Sequence, residues 1–542
     1  MNPTDQTDPV TRLHDTLTAT ARSFSGDDTI TPGLDVSPKP EMGDYSSNAA
    51  MMMAKTLGRP SREIAAELAA ELERALGEGV EKIEIAGPGF INFFLADRWY
   101  RDAVADLTAT GSAAIPPVAD PEHVLVEFVS ANPTGPLTAA SGRHAAYGDA
   151  LTRLLKAVGH TVDGEYYVND GGTQVENFAA SIAARMNGTE PPENGYQGDY
   201  VNELADRAKA ERIEPDDLET LALTGVEWMV DSIRASLVRF GVEMDDFFSE
   251  RSLYAEGLVE RGLERLKEGG HTYEADNALW LKTTDFDDDK DRVLVRSGGE
   301  PTYFGADVAY HADKVERGYS RLIDVLGADH HGYVARMTAA VQSFERPVAF
   351  EAQILQMIHL VEGGQRTKMS KRAGDIVTLD ELVGDIGTDA ARFFLLQRSH
   401  DSTIDLDLDL ARSQSSDNPV YYVQYAHARI RSILRKAEDE GSSREGAERA
   451  SAPVEPAEKA LIAKLLAFPA EVHEAAARRA PHRICAYASQ TSAAYHAFYR
   501  DCQVIGAAGE GVEAARLNLC EVTGATIKEA LGLLGISAPD RM

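Results

Sequence analysis

Two segments of the chain carry residues whose types and spacing could do phosphate chemistry. Lys368-Met369-Ser370-Lys371-Arg372 sets three cations in five residues, between Gly363-Gly364 and Gly374. A short charge run is usually a solvated surface loop. Lysine is scarce in this chain, however, with 15 in 542 residues, and the flanking glycines suit a loop that closes. Such a loop can grip a triphosphate most strongly as charge develops on a departing pyrophosphate. The second segment is the turn from Ser130 to Ser141, between the apolar run HVLVEFVS and the helix-spaced run GRHAAYGDALTRLLKAVG. A turn placed there delivers a helix N-terminus to the carboxyl end of a parallel strand. Open α/β sheets bind ligands at that edge, and the helix end favours phosphate. Neither GxxxxGK[ST] nor a strand–GxGxxG–helix occurs.

The elements that must position these segments follow from periodicity. HVLVEFVS, the turn, the helix closed by Gly159, and the strand VDGEYYVND form a βαβ unit of a parallel sheet. Strand character resumes at PTYFGADVAYH and RLIDVLGADHHG. Ahead of this unit, residues 1–108 read as a small α/β module. In it Ser61 is expected to cap the helix SREIAAELAAELERAL, and VEKIEIAGPGFINFFL reads as a hairpin. Residues 109–120 read as a linker. Residues 121–400 read as a nucleotide-binding domain with an insertion at about 173–300, and 401–542 as a helical domain. The fold class expected is α/β, a Rossmann-type parallel sheet flanked by an α/β N-terminal domain and an all-α C-terminal bundle.

Composition bounds the setting. Against 54 basic residues stand 87 acidic ones, a formal net charge of −33, dispersed along the chain. Dispersed acid reads as surface solvation in concentrated salt rather than as an interaction tail, and it argues against nonspecific nucleic-acid binding. The three cysteines form no CxxC pair, which excludes a thiolate zinc cluster and a disulfide scaffold. No apolar run approaches a membrane span, and the first residues lack a signal-peptide pattern. A soluble cytoplasmic protein with no membrane partner and no resident metal site is expected.

KMSKRAGDIVTLDELV resembles the KMSKS loop of class I aminoacyl-tRNA synthetases, and VEFVSANPTGPL resembles the approach to their HIGH motif. The wider likeness is to arginyl-tRNA synthetases and covers nearly the whole chain. It includes GDYSSNAAMMMAKTLGRPSREIA at the start, GGEPTYFGADVAYH in the middle, and NPVYYVQYAHARIRSIL with LLGISAPDRM at the end. The resemblance implies ATP-dependent ligation of L-arginine to tRNA(Arg) through arginyl-adenylate, with Mg²⁺ accompanying ATP, by an enzyme usually monomeric. It places Glu127, Tyr303 and Asp307 at the guanidinium, and Ser130 and Asn132 at the α-amino and carboxylate end. Pro133, Gly135, His330, His331, Met369 and Ser370 would face ATP, and Lys368 and Lys371 would grip its phosphates. Tyr425 and Arg429 would meet tRNA, on a helix that also carries Tyr421, Tyr422, His427 and Arg431. Tyr422 and Tyr425 are expected to face the core as well.

One departure stands out. Where the family carries HIGH, this chain has Thr138-Ala139-Ala140-Ser141, with neither histidine. Losing a donor of that kind typically costs ~10²–10³ in rate. Thr138 and Ser141 could still donate hydrogen bonds, and either His144, one turn beyond Ser141, or Arg143, which matches the family's arginine, could supply part of the missing positive charge. A working enzyme, from a salt-adapted archaeon that has rebuilt this corner, is the favoured reading. The alternative is a catalytically impaired paralogue that binds tRNA.

Overall fold

The computed structural model describes residues 8–112, 114–344, 346, 348–367 and 377–542. Its centre is a five-stranded sheet of β1 (His123–Glu127), β2 (Thr161–Val168), β3 (Asp246–Ser249), β4 (Arg321–Gly327) and β5 (Ala349–Leu355), in the order β5-β4-β1-β2-β3. Every neighbouring pair is parallel. The chain builds outward from β1 to β3 and then crosses to the other side of β1 for β4 and β5. The strand order therefore reverses between β1 and β4, and the crevice beyond their carboxyl ends is where such a sheet takes ligand.

Helix α1 (Ala139–Ala157) packs behind β1, with Ala145, Ala146, Ala150, Leu151, Leu154 and Leu155 buried. Gly159 follows in the left-handed region at φ +96, and an added Cβ would stand 2.8 Å from Pro117, so only glycine turns the chain here into β2. The segment Tyr303–Glu316 corrects the expected strand: it is a helix, α2. Thr302 caps it by accepting the Gly305 amide at 3.0 Å, and Val308, Ala309, Ala312 and Val315 repeat at helical spacing on its buried side. Helix α3 (His331–Gln342) follows β4.

The stretch 173–300 is also not one insertion. Helices Gly172–Met186, Tyr200–Ala210 and Leu218–Arg239 form their own cluster, but β3 then rejoins the main sheet beside β2. The antiparallel sheet of Thr272–Ala275, Ala278–Leu281 and Arg292–Val295 is likewise separate from it. At the other expected boundary, Ile404–Asp407 pairs in parallel with Ile358–Glu362, so sheet structure continues past residue 401.

In the N-terminal module Val80–Ala86 and Phe90–Leu95 pair as an antiparallel hairpin. Ser61 does not cap its helix. It is the first helical residue, and its hydroxyl donates to the Pro88 carbonyl in the hairpin turn, while Pro60 takes the capping position. The C-terminal part comprises helices Pro419–Asp439, Pro456–Leu466, Phe468–Ala477, His482–Asp501 and Val512–Leu533. It is fastened to the sheet domain by charged struts. The fully buried Arg392 donates to the Leu534 and Phe240 carbonyls and to Asp149, and Arg479 forks onto Glu351 at 2.9 Å through two nitrogens.

Candidate active site

The turn after β1 begins with a backbone that β-branched residues avoid. Val129 has φ +71 and Ser130 φ +40, and the Ser130 amide donates to the Phe128 carbonyl at 3.1 Å, closing a three-residue turn. Positive φ at valine stores strain, and such strain collects at functional sites. Packing holds it. Phe128 is buried against Gly148 of α1, where an added Cβ would fall 2.1 Å from the ring, so only glycine lets helix and turn meet. Farther along, Tyr166 donates to the Ala131 carbonyl and Tyr200 to the Thr134 carbonyl, each at 2.7 Å. Pro133 is buried beneath the turn, Gly135 sits half-buried against Tyr200, and Asn132 stands exposed on top.

Thr138 caps α1. Its Oγ1 accepts the Ser141 amide at 3.2 Å and lies 3.1 Å from Ser141 Oγ. The backbone on either side is stitched to the segment that resumes at Val377: Ala139 donates to the Val377 carbonyl, and Leu379 to the Leu137 carbonyl. Lys368, Met369, Ser370 and Lys371 lie outside the described residues. The strand Gln365–Thr367 precedes them, and the helix Leu379–Ile386, opened by a Thr378–Glu381 capping box, follows them.

Neither candidate for replacement charge supplies it. The buried Arg143 guanidinium donates to the carbonyls of Gln356, Ser399 and Ser402, with longer contacts to Met357 and His400. Its donors are committed to backbone, so it braces α1 instead of facing phosphate. His144 is pushed down to about 4, chiefly by burial, against a hydrogen bond to the Val325 backbone, so its ring is neutral at pH 7. His330 is half-exposed, 3.7 Å from Asp329, and His331 is the first residue of α3.

The acid pocket is built on register. Asp324 of β4, Glu127 of β1 and Glu165 of β2 are direct partners across three parallel strands, so three carboxylates stand in one row. Helix α2 and the Arg317 that caps its end supply the cations. Lys314 Nζ donates to Glu127 Oε2 at 2.6 Å and to Asp324 Oδ1 at 3.1 Å, and Arg317 forks onto Glu165. His311 Nε2 lies 3.0 Å from Asp324 Oδ2. Ser130 Oγ donates to Glu127 Oε1 at 2.9 Å and accepts the Tyr167 amide at 3.1 Å, so its hydroxyl orients the acid.

Two turns before Lys314 on α2 is Asp307. Burial pushes its carboxyl up to about 7; Glu127 and Glu250 add to that, and His311 opposes it. Glu250 is itself raised, by burial and by Asp170. Tyr167 and Tyr254 are raised by burial and then by Glu250 and Asp307, which puts both rings among these acids. Tyr303 is 82% exposed at the mouth, at the N-terminus of α2. A desolvated group of carboxylates walled by tyrosines suits a planar cation. Lys314, Asp324, Glu165, Glu250 and Tyr167 are not among the residues that the sequence singles out. The acids in RLIDVLG and GEYYV carry the same signal, charge inside an apolar strand, that singled out Glu127.

On the C-terminal bundle Tyr425 is 39% exposed and does not face the core. It stacks on Tyr421 at 6.3 Å and on His496 at 6.1 Å, and Arg429 lies over Tyr425 and Tyr499. His427 is buried, with Nδ1 2.9 Å from the Pro539 carbonyl, where it pins the C-terminal segment.

Residues 107–415 match the family model for the class I (R) tRNA synthetase catalytic domain. With the parallel sheet and its crevice, this defines the protein as a class I aminoacyl-tRNA synthetase. Residues 11–95 match the arginyl-tRNA synthetase N-terminal domain, and residues 423–542 the DALR anticodon-binding domain. The chain is 46% identical over 514 residues to an arginine–tRNA ligase of Shouchella clausii, covering 92% of each. It is 42% identical over 558 residues to arginine–tRNA ligase 1 of Halalkalibacterium halodurans, covering 100% of each. The fold matches the arginyl-tRNA synthetase of Thermus thermophilus with a TM-score of 0.76 at 24% identity, over 98% of this chain and 100% of that one. The chain belongs to the arginyl-tRNA synthetase family.

Proposed function

We propose that this chain ligates L-arginine to tRNA(Arg) at the expense of ATP. The arginine carboxylate attacks the α-phosphate of MgATP, releasing pyrophosphate, and the terminal adenosine 2′-hydroxyl of tRNA then takes the arginyl group. The observation that carries this reading is the acid pocket at the strand-order reversal, where Asp307 is held near 7 among Glu127 and Glu250. A guanidinium bound there would pair with acids that are costly to leave without a cation. Glu127, Asp307 and Tyr303 would take the guanidinium, and Ser130 and Asn132 the other end of the amino acid. Pro133, Gly135, His330 and His331 would line the nucleotide, with Lys368, Met369, Ser370 and Lys371 closing over its phosphates. Thr138 and Ser141 would shape the helix start beneath them, and Tyr425 and Arg429 would meet the anticodon arm.

Mg²⁺ belongs to the nucleotide as substrate. Among the described residues, no group of three or more His, Cys, Asp or Glu is arranged to hold a metal ion. None of the described helices is long and apolar enough to cross a membrane. A monomeric cytoplasmic enzyme adapted to high salt fits the family and the dispersed acid.

The test is arginine-dependent ATP–pyrophosphate exchange in concentrated potassium chloride, with and without tRNA(Arg). Exchange that requires both arginine and tRNA supports the reading. No exchange, with tRNA binding intact, would replace it by a tRNA-binding paralogue.

A further inference from the structure

A lysine with no exposed side-chain surface is rarely found without a reason, and Lys314 has none. It is a poor choice if the fold only needed filling, because burying an ammonium is strongly unfavourable unless its partners are well placed. Here they are. The row Asp324–Glu127–Glu165 would set three carboxylates side by side, and Nζ bridges two of them while lying 4.3 Å from the Tyr310 ring. Burial alone would lower the ammonium, but Asp324, Glu127 and Glu165 outweigh it and hold it above its ordinary value. Asp324 in turn is held well below the carboxylate range by Lys314 and His311, against its burial. The cation under the pocket is permanent.

Glu127 differs from its two neighbours in the row. Asp324 and Glu165 are sealed, with 3% and 0% of their side-chain surface exposed, whereas Glu127 keeps 12%. One oxygen is fixed by Lys314 and the other by Ser130. A carboxylate has about four lone-pair positions, so about two remain to meet a ligand.

We propose that Lys314 is a positioning residue for amino-acid selection: by fixing Glu127 from below, it sets how that carboxylate meets a guanidinium and so separates arginine from its uncharged isostere citrulline. This rests on the reading of Glu127 as a guanidinium acceptor. Lys314 touches no substrate itself, and its effect passes through Glu127.

Steady-state pyrophosphate exchange by the full-length chain, with tRNA(Arg) present, tests this in Lys314→Met, alone and combined with Glu127→Gln. The single variant should raise the arginine KM roughly ten- to hundredfold, the scale of one hydrogen bond to a charged group, with kcat within about threefold. The arginine-to-citrulline ratio of kcat/KM should shrink by a similar factor. In the Glu127→Gln background the same substitution should add less than about threefold, because the contact it acts through is already changed. Should Lys314→Met not fold, Lys314→Gln keeps a donor for both acids and should still raise the arginine KM at least about threefold. An unmoved arginine KM in whichever variant folds, or losses that multiply in full across the two backgrounds, would overturn the proposal alone. No arginine-dependent exchange in the unmodified chain would overturn it together with the functional reading.

Discussion

Thr138 Oγ1 accepts the Ser141 amide at 3.2 Å and stands 3.1 Å from Ser141 Oγ, so the two hydroxyls at the start of α1 serve each other and the helix. A threonine in this position is a good cap, and its loss typically costs ~1 kcal/mol. Thr138→Ala should therefore lower the unfolding free energy, measured by denaturant titration, by that amount. The double variant Thr138→His with Ser141→His should lose the same cap and gain no exchange activity over wild type. A steep rise in exchange would instead mean that the present corner is a weakened one.

Arg143 is a strut, and struts fail differently from catalytic groups. Replacing it with glutamine strands the Ser399 and Ser402 carbonyls, which accept at 3.0 and 2.8 Å, along with that of Gln356. Leaving several buried acceptors unpaired should cost roughly 3 kcal/mol or more. Urea unfolding of Arg143→Gln and Arg143→Lys measures this. Lysine should not rescue, because a single ammonium lacks the planar fork that reaches all three carbonyls at once. A variant as stable as wild type would return Arg143 to the list of groups free to meet phosphate.

With Asp307 receiving the guanidinium as proposed, arginine binding should be sensitive to pH. Its folded carboxyl lies up at about 7, above the unfolded value of 3.8, chiefly through burial. Between those values the folded state holds a proton that the unfolded state has lost. Its contribution to stability is thus present at low pH and falls as pH rises toward about 7. A guanidinium needs the ionised acid, so binding near pH 7 should release about half a proton, and the arginine KM should rise up to ~tenfold for each pH unit below that. Calorimetry in buffers of different ionisation enthalpy measures the proton directly. Asp307→Asn should abolish the release; a release that persists would assign it to Glu250 instead.

What could be read in the sequence, and what could not, divides by mechanism. Glu127 is legible because an acid inside HVLVEFV has few bland explanations. Asp324 and Glu165 carry the same signal, but their meaning depends on register, which places them beside Glu127 only once the strands pair. Lys314 is illegible for a related reason: lysine in AYHADKVE reads as surface until helix α2 is laid over the row of acids. Helix α2 itself was masked by small residues, since Gly305, Ala306, Ala309 and Ala312 pack well but alternate weakly. β3, four residues with a serine and an aspartate at its ends, is too short to announce that the sheet resumes. Arg143 shows the converse. Its match to the family's arginine points at phosphate, and its tertiary partners are backbone carbonyls.

The aromatic group on the C-terminal bundle offers the cleanest separation of RNA binding from chemistry. Tyr425 is 39% exposed and shares its ring stack with Tyr421 and His496, while Arg429 covers Tyr425 and Tyr499. Exposed rings with an arginine over them can take an unstacked base, an interaction worth ~1–3 kcal/mol per base on truncation to alanine. The half-exposed position makes the cost to folding small, so Tyr425→Ala should keep the wild-type melting profile. Its tRNA(Arg) KM should rise roughly five- to hundredfold, the same energy expressed as affinity. The exchange rate at saturating tRNA should be unchanged, because the acid pocket and the crevice beyond β1 and β4 lie in a different domain. Arg429→Ala should behave likewise and also flatten the salt dependence of tRNA binding, since it removes a cation. A loss of exchange at saturating tRNA would mean instead that this surface supports the catalytic fold through the struts at Arg392 and Arg479.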